Sequence, residues 1–201
     1  SDQPVTIIVG LNDDLTALEK HEKYMQRPPR ISKRFTLNKG AINQSNTYTA
    51  PYGGLIYVST GEDKITLTLS NTVKAPWYKL SPDGTGSWVN PKDSPAPLGE
   101  IESKTFIYTS AKKNLQAGDT YVKKFAEDLD IFSADLNDFY ARDEDASGSL
   151  NRKSTDPSIP NHKHRLVNDI AISKGGAHSG YPVMWINFDQ ESTKIAQNPL
   201  N

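Results

Sequence analysis

The chain has 201 residues, no cysteine, and 23 basic against 24 acidic side chains. This composition excludes disulfides and thiolate metal sites, and it provides no basic surface of the kind that a nucleic-acid partner requires. The mean hydropathy is −0.63, and no run approaches the ~20 apolar residues of a transmembrane helix, so no membrane span is predicted.

Residues 1–115 are predicted to form mainly short strands. Strand candidates rich in β-branched and aromatic residues are 5–9, 31–37, 55–58, 65–69 and 105–109. Ile65, Leu67 and Leu69 alternate with hydroxyl residues, so 65–69 is predicted to pair with 55–58 as a hairpin. Residues 14–26 suit a helix, and the proline-containing residues 90–99 suit a surface connection. Many short strands with turns between them are typical of an antiparallel, jelly-roll-like β-sandwich.

Residues 116–201 have a different pattern. Apolar residues recur at spacings of three and four, which places them on one helical face: Phe125, Leu129, Phe132, Leu136 and Tyr140. Asp119 or Thr120 can cap the start of this helix, and Ser133 can cap a second segment, so one helix or two remain open. Residues 166–172 and 181–186 are predicted strands. The fold class is therefore α+β.

Histidine provides one candidate metal site. No complete HExxH occurs, because Met25 stands where the second imidazole after His21 is required. His162 and His164 alternate about one residue, and with His178 they could supply three nitrogens to zinc with an open fourth position. The alternative is two histidines of a surface loop and one structural histidine.

A second candidate metal site is a calcium loop in residues 143–154. Oxygen-bearing side chains stand at the spacing of an EF-hand loop, with Gly148 at the sixth position. The candidate ligands are Asp143, Asp145, Ser147 and Asn151. Position 12 is Ser154 rather than the bidentate glutamate, so a plain solvated loop is the alternative.

Trp77 and Trp88 are candidates for glycan stacking, because aromatic rings on a sandwich face can pack against sugar rings. Packing in the core is the alternative. If the rings do bind glycans, the chain could be a non-catalytic carbohydrate-binding β-sandwich or adhesin module. This is the rival functional hypothesis.

Five segments carry a resemblance to a known family: residues 50–58 (APYGGLIYV), 97–102 (PLGEIE), 136–140 (LNDFY), 161–165 (NHKHR) and 178–184 (HSGYPVM). With these segments in this order, the chain resembles the enhancin-like zinc metallopeptidases that act on mucins. Within that family it is most similar to the accessory colonisation factor lipoproteins of Gram-negative bacteria.

The resemblance implies a β-sandwich subdomain over residues 1–115, followed by the first helix and strand part of a zincin-like catalytic domain over 116–201. The HExxH helix that binds zinc would lie beyond residue 201, so we expect a piece of a longer precursor that is inactive as a peptidase without the remainder of the catalytic domain. The implied substrate is mucin or another glycoprotein. The implied location is secreted or on the outer-membrane surface, with the signal or lipid anchor outside this chain.

The resemblance also implies which residues line the substrate cleft. They belong to one segment: His178, Ser179, Gly180, Tyr181 and Pro182. In zincins an edge strand at this place pairs with extended substrate through main-chain hydrogen bonds.

Overall fold

The computed structural model describes residues 5–10, 32–37, 45–59, 65–139, 163–169, 177–180 and 183–187. The candidate helix 14–26, the candidate calcium loop 143–154, His162, Tyr181 and Pro182 lie outside these residues. The chain divides into two compact units, Ser1–Val73 and Lys74–Asn201.

The first unit contains a three-stranded antiparallel sheet with the order β2-β1-β3 in its described part. Its strands are β1 (Val5–Val9), β2 (Lys33–Leu37) and β3 (Ile56–Ser59). Ile7 of β1 is paired with Phe35 on one side and Val58 on the other, and Ile7 itself is buried. This apolar row is the centre of the sheet.

The predicted hairpin between residues 55–58 and 65–69 is wrong. β3 pairs with β1, and residues 65–70 form no strand and are exposed. Period-2 alternation shows that a segment has one apolar side, but it does not select a partner strand. Here the apolar row of Ile7 provides the partner for β3.

The second unit is built on a mixed sheet of seven described strands in the order β5-β4-β6-β7-β8-β10-β9. The strands are β4 (Trp77–Leu80), β5 (Gly86–Asn90), β6 (Leu98–Glu102), β7 (Phe106–Ala111), β8 (His164–Asp169), β9 (Ala177–Gly180) and β10 (Val183–Asn187). Three neighbouring pairs are parallel, namely β4 with β6, β7 with β8, and β8 with β10, and the others are antiparallel.

One face of this sheet is covered by α1 (Asp119–Phe139), which follows a short 3-10 turn at Lys112–Leu115. The helix packs on β4, β6 and β7. The residues buried between helix and sheet are Tyr78, Leu80, Ile101, Phe106, Tyr108, Leu115, Val122, Phe125, Ala126 and Leu129. The apolar spacing thus predicted the packed face for Phe125, Leu129 and Phe132, and the structure contains one unbroken helix over residues 119–139.

The α+β fold class is confirmed, with two sheets and one long helix in the described residues. The predicted boundary at residue 115 falls inside the second unit, because strands on both sides of that residue share the seven-stranded sheet. Among the described residues, no helix combines the length and apolar character needed to cross a membrane.

Candidate functional site

Residues 178–180 of the segment predicted to line a substrate cleft lie in β9, at one edge of the seven described strands. β9 ends the strand order, and in the part of the chain that the structure describes its sheet neighbour is β10 alone. The register places His178 beside Trp185, Ser179 beside Met184, and Gly180 beside Val183. The main-chain groups on the far side of an edge strand can accept a further strand.

The opposite edge of the sheet, β5, is built differently. Its register on β4 shifts between Trp77 and Tyr78, which is a β-bulge or a similar irregularity, and Pro91 follows the strand directly. Bulges and prolines are common devices that protect sheet edges from pairing. The register of β9 on β10 runs through its pairs without a shift, so β9 is the edge better suited to pairing.

The candidate zinc histidines are not brought together in the described residues. His164 lies in β8 opposite Phe106, and the two rings are 5.4 Å apart. His178 belongs to the transverse row of Val167, which is about 10 Å further along β8 at ~3.3 Å per residue. Within the described ranges, no group of three potential ligands is placed to hold a metal ion. His162 lies outside the described residues, and the separation of His164 from His178 gives no zinc site in the described part of the chain, so we derive no chemistry through zinc from them.

Trp77 and Trp88 lie on opposite faces of the sheet. The Trp88 ring packs edge-on against Tyr78 at 5.4 Å, on the face covered by α1, and its Nε1 donates to Asp119 at 3.1 Å. The Trp77 Nε1 donates to Glu102 on the other face, also at 3.1 Å. The two rings therefore do not form one stacking platform.

A charged cluster occupies the face of the sheet opposite α1. Its centre is Glu102 of β6, whose side chain is 13% exposed. Oε1 of Glu102 accepts a hydrogen bond from Lys163 Nζ at 2.7 Å and forms an ion pair with Lys79 Nζ at 3.3 Å. Lys163 Nζ also donates to the carbonyl of Ser103 at 2.6 Å. The residue that leads into β8 is thus tied to the end of β6.

A second ion pair lies two residues away from the first, along both β6 and β8. Arg165 Nη1 of β8 donates to Glu100 Oε1 of β6 at 3.0 Å, and the hydroxyl of Thr109 on β7 donates to the same oxygen at 2.8 Å. The side chains of Glu100 and Arg165 are 17% and 21% exposed, so this pair is also largely shielded from water. Both ion pairs connect β6 to β8 across β7.

The electrostatics of Glu102 follow from these contacts. Burial acts to raise the pKa of this carboxyl, but the hydrogen bond and the charge of Lys163, together with Lys79, outweigh it. The pKa of Glu102 therefore lies below its ordinary value, and the carboxylate is held ionised.

Sequence reasoning did not identify this cluster, although a signal for it is present. Glu100 and Glu102 alternate about Ile101, and Lys163 and Arg165 alternate about His164. Two acidic and two basic residues at period-2 spacing are expected on strands that lie close together. The proline-rich approach to β6 led to the prediction of a connection there instead of a strand.

Two solved structures share this fold. Both are described as a functionally unknown conserved protein from Bacillus anthracis str. Ames, one of them a mutant. They match all of this chain and 38% of their own length, with TM-scores of 0.54 and 0.59 and identities of 13% and 12%. At this identity the match establishes the fold alone.

Curated relatives are much more similar in sequence. The accessory colonization factor AcfD of Vibrio cholerae is 53% identical over 98% of this chain, and the putative lipoprotein AcfD homolog of Escherichia coli K12 is 45% identical over the same share. The TRPM8 channel-associated factor homolog of Danio rerio is 29% identical over 80% of the chain. The chain spans 13% of the length of each bacterial relative and 16% of the fish relative.

Two family models cover nearly the whole chain. The model of the N-terminal domain of M60-like peptidases matches residues 2–74, and the model of peptidase M60, enhancin and enhancin-like, matches residues 71–199. The two matches meet where the first compact unit gives way to the second. The chain therefore belongs to the M60 family of enhancin and enhancin-like peptidases.

Proposed function

We propose that this chain is the substrate-binding front part of a secreted or surface-anchored zinc metallopeptidase that cuts mucin-type glycoproteins and so aids colonisation of a host. Membership of the enhancin-like family supports the peptidase class. The names of two relatives, an accessory colonization factor and a putative lipoprotein, support the colonising role and the surface location.

One observation carries the proposal: in the part of the chain that the structure describes, residues 178–180 lie in the last strand of the seven-stranded sheet. An extended peptide that adds to β9 gains main-chain hydrogen bonds, which do not depend on its sequence. Gly180 has no side chain, so a substrate backbone can approach the strand closely at that point. This binding mode suits a heavily glycosylated protein, because main-chain groups are present at every residue, whichever side chains carry glycans.

In this proposal the chain contributes the first unit and the cleft wall, and zinc is bound by residues of the parent protein beyond residue 201. When bound, zinc would polarise the scissile carbonyl and activate water. The described residues offer no site for it, so we expect this chain alone to have no peptidase activity. The remainder of the catalytic domain is its proposed partner.

The test is the protection of backbone amides from hydrogen exchange when a peptide binds. An extended, threonine-rich glycopeptide is added to the 15N-labelled chain, and hydrogen exchange is followed residue by residue. We expect slower exchange for amides in 177–180 and unchanged exchange for β5 at the other edge, which is the internal control. The same peptide with N-methylated backbone amides should protect much less, because it lacks the donors.

Three results would contradict the proposal: no protection of β9, equal protection of β5, or equal effects of the two peptides. Incubation of the chain with mucin and zinc provides a separate check, since any cleavage would show that the chain alone is active.

A further inference from the structure

The two compact units are joined by an exposed connector, residues 65–74. Every residue of this connector is exposed, and the boundary between the units, after Val73, lies within it. The two family models also meet there, since one ends at residue 74 and the other begins at residue 71. Boundaries between domains typically fall in exposed segments that few contacts cross. The connector has this character.

The backbone of residues 65–70 has no regular structure. It contains no strand, helix, turn or bend, so the chain does not fold back on itself there. Residues 65–73 make no hydrogen bond and no ion pair with any residue that the structure describes. The first such contact is at Lys74, whose carbonyl accepts the N–H of Ala96 at 3.1 Å. The main-chain donors and acceptors of residues 65–70 are therefore open to a partner.

The side chains of the same residues alternate in character. Ile65, Leu67 and Leu69 are separated by hydroxyl residues, and the exposed fractions of Leu67 and Leu69 are 37% and 48%. Residues 65–73 contain no proline and no charged side chain. A peptide that binds by strand addition provides main-chain hydrogen bonds and places alternate side chains in pockets. Residues 65–70 offer both features without prior unfolding.

We propose that residues 65–70 are a cleavage site for an endopeptidase that accepts aliphatic side chains, and that a cut there severs the covalent link between the two units. The reaction is hydrolysis of the bond before Leu67 or before Leu69. The OH of a water molecule goes to the threonine carbonyl carbon and its H goes to the leucine nitrogen, which gives a new carboxyl and a new amino terminus. The inference is independent of the proposed function, because the chain is here the substrate of another peptidase.

Exposure alone does not make a cleavage site, and the chain contains a segment that provides the comparison. Residues 45–54 are exposed except for Ala50, but the chain turns at residues 51–52. The carbonyl of Leu55 accepts the N–H of Gly10 at 2.8 Å, and a Cβ on Gly54 would lie 2.7 Å from the Cα of Gly10. The Gly54–Leu55 bond is therefore held against a second segment. It also precedes a leucine, so it is a matched internal control.

The test is limited proteolysis of the full chain by thermolysin, which cleaves on the amino side of leucine. Mass spectrometry follows the initial rate at each bond, with the protease dilute enough that the rate measures the population of the cleavable conformation. Synthetic peptides of residues 62–73 and 50–60 give the rates without protection. We expect the connector bonds to be cut within about tenfold of their peptide, and the Gly54–Leu55 bond roughly a hundredfold more slowly than its own.

Urea separates cleavage of the native connector from cleavage after local unfolding. A bond that is cut only after unfolding reacts faster as urea is added, because unfolding exposes surface. We expect the ratio of chain rate to peptide rate to stay constant at the connector up to about 2 M urea, and to rise at Gly54–Leu55.

Two variants locate the site within the connector. Leu67→Thr with Leu69→Thr removes the aliphatic side chains and should lower cleavage between residues 65 and 70 by at least about tenfold. Val73→Thr is the control, because it lies beyond the bend at Asn71, whose φ is 57°, and it should leave that rate unchanged. Protection of the wild-type connector by about a hundredfold or more would overturn the proposal. A rate that rises with urea as at Leu55, or a variant pair with the opposite result, would overturn it as well.

Discussion

The carboxylate of Asp130 on α1 accepts hydrogen bonds from both the backbone N–H and the hydroxyl of Thr105, at 2.9 and 2.6 Å. The same carboxylate accepts the hydroxyl of Ser103 at 2.7 Å and the backbone N–H of Lys104 at 3.1 Å. Asp130 thus binds the whole turn between β6 and β7. Since Lys163 binds the carbonyl of Ser103 as well, this turn is where helix, hairpin and β8 are joined.

Asp130→Asn should destabilise the chain by about 2 kcal/mol, because an amide presents an NH₂ group to some of these donors and removes the charge that strengthens the bonds. Urea denaturation measures the change. Asp128→Asn is the matched control, as Asp128 is two residues away on α1 and pairs only with Lys124 among the contacts described. We expect the control to cost less than about 1 kcal/mol. Equal losses in the two variants would contradict the role of Asp130.

Gly86→Ala should destabilise the chain by about 2 kcal/mol through overpacking. A Cβ at this position would lie 1.9 Å from Oη and 2.7 Å from Cζ of Tyr78, whose side chain is fully buried. Gly118→Ala is the control, because its Cβ would meet nothing within 4 Å. Thermal unfolding of both variants decides the matter, and a Gly86→Ala protein as stable as the control would show that Tyr78 can move aside.

Glu102 should make the free energy of unfolding of the chain depend on pH in the acidic range. Its pKa lies below the ordinary value of 4.5, so the folded chain binds the proton less readily than the unfolded chain. Its contribution is therefore fully present above about pH 4.5 and is lost as the pH falls through the lowered pKa. The stability difference between wild type and Glu102→Gln should stay constant from pH 8 to 6 and shrink in acid. A difference that grows in acid would refute this sign.

The pKa of Asp119 should rise in the variant Trp88→Phe. The hydrogen bond from the Trp88 indole is the main cause that lowers the pKa of this carboxyl, with Lys92 adding to it. Phenylalanine retains a ring against Tyr78 but removes the N–H donor. Carboxyl 13C chemical shifts followed by NMR titration measure the change. Asp83 is the internal control, because its own pKa is lowered by Thr85, and it should not move.

Local signals in the sequence predicted α1, the strands at 5–9 and 105–109, and the α+β class. Each of these depends on a periodic pattern within one segment. The pairing partner of a strand was harder to predict from the sequence: residues 65–69 have a clear alternation, yet they form no strand. β6 was missed because prolines precede it, although Glu100 and Glu102 alternate about the buried Ile101.

The expectation that residues 178–182 line a substrate cleft came from the resemblance to a family, not from the residues themselves, and it stays a prediction. The place of a strand in the order of a mixed sheet depends on long-range pairing, and no local sequence pattern contains that information. For the same reason the sequence could not show that His164 and His178 are separated, or that Trp77 and Trp88 lie on opposite faces.

The parallel pairing of β7 with β8 has a consequence for how the chain acquires its structure. During synthesis, the β6–β7 hairpin and α1 leave the ribosome before β8 has been made. The side of β7 that later pairs with β8 is therefore still unpaired at that stage. Contacts between segments so far apart in the chain slow folding, and an open strand edge invites association with other nascent chains. We expect the late arrival of β8 to be the step at which chaperones protect this protein.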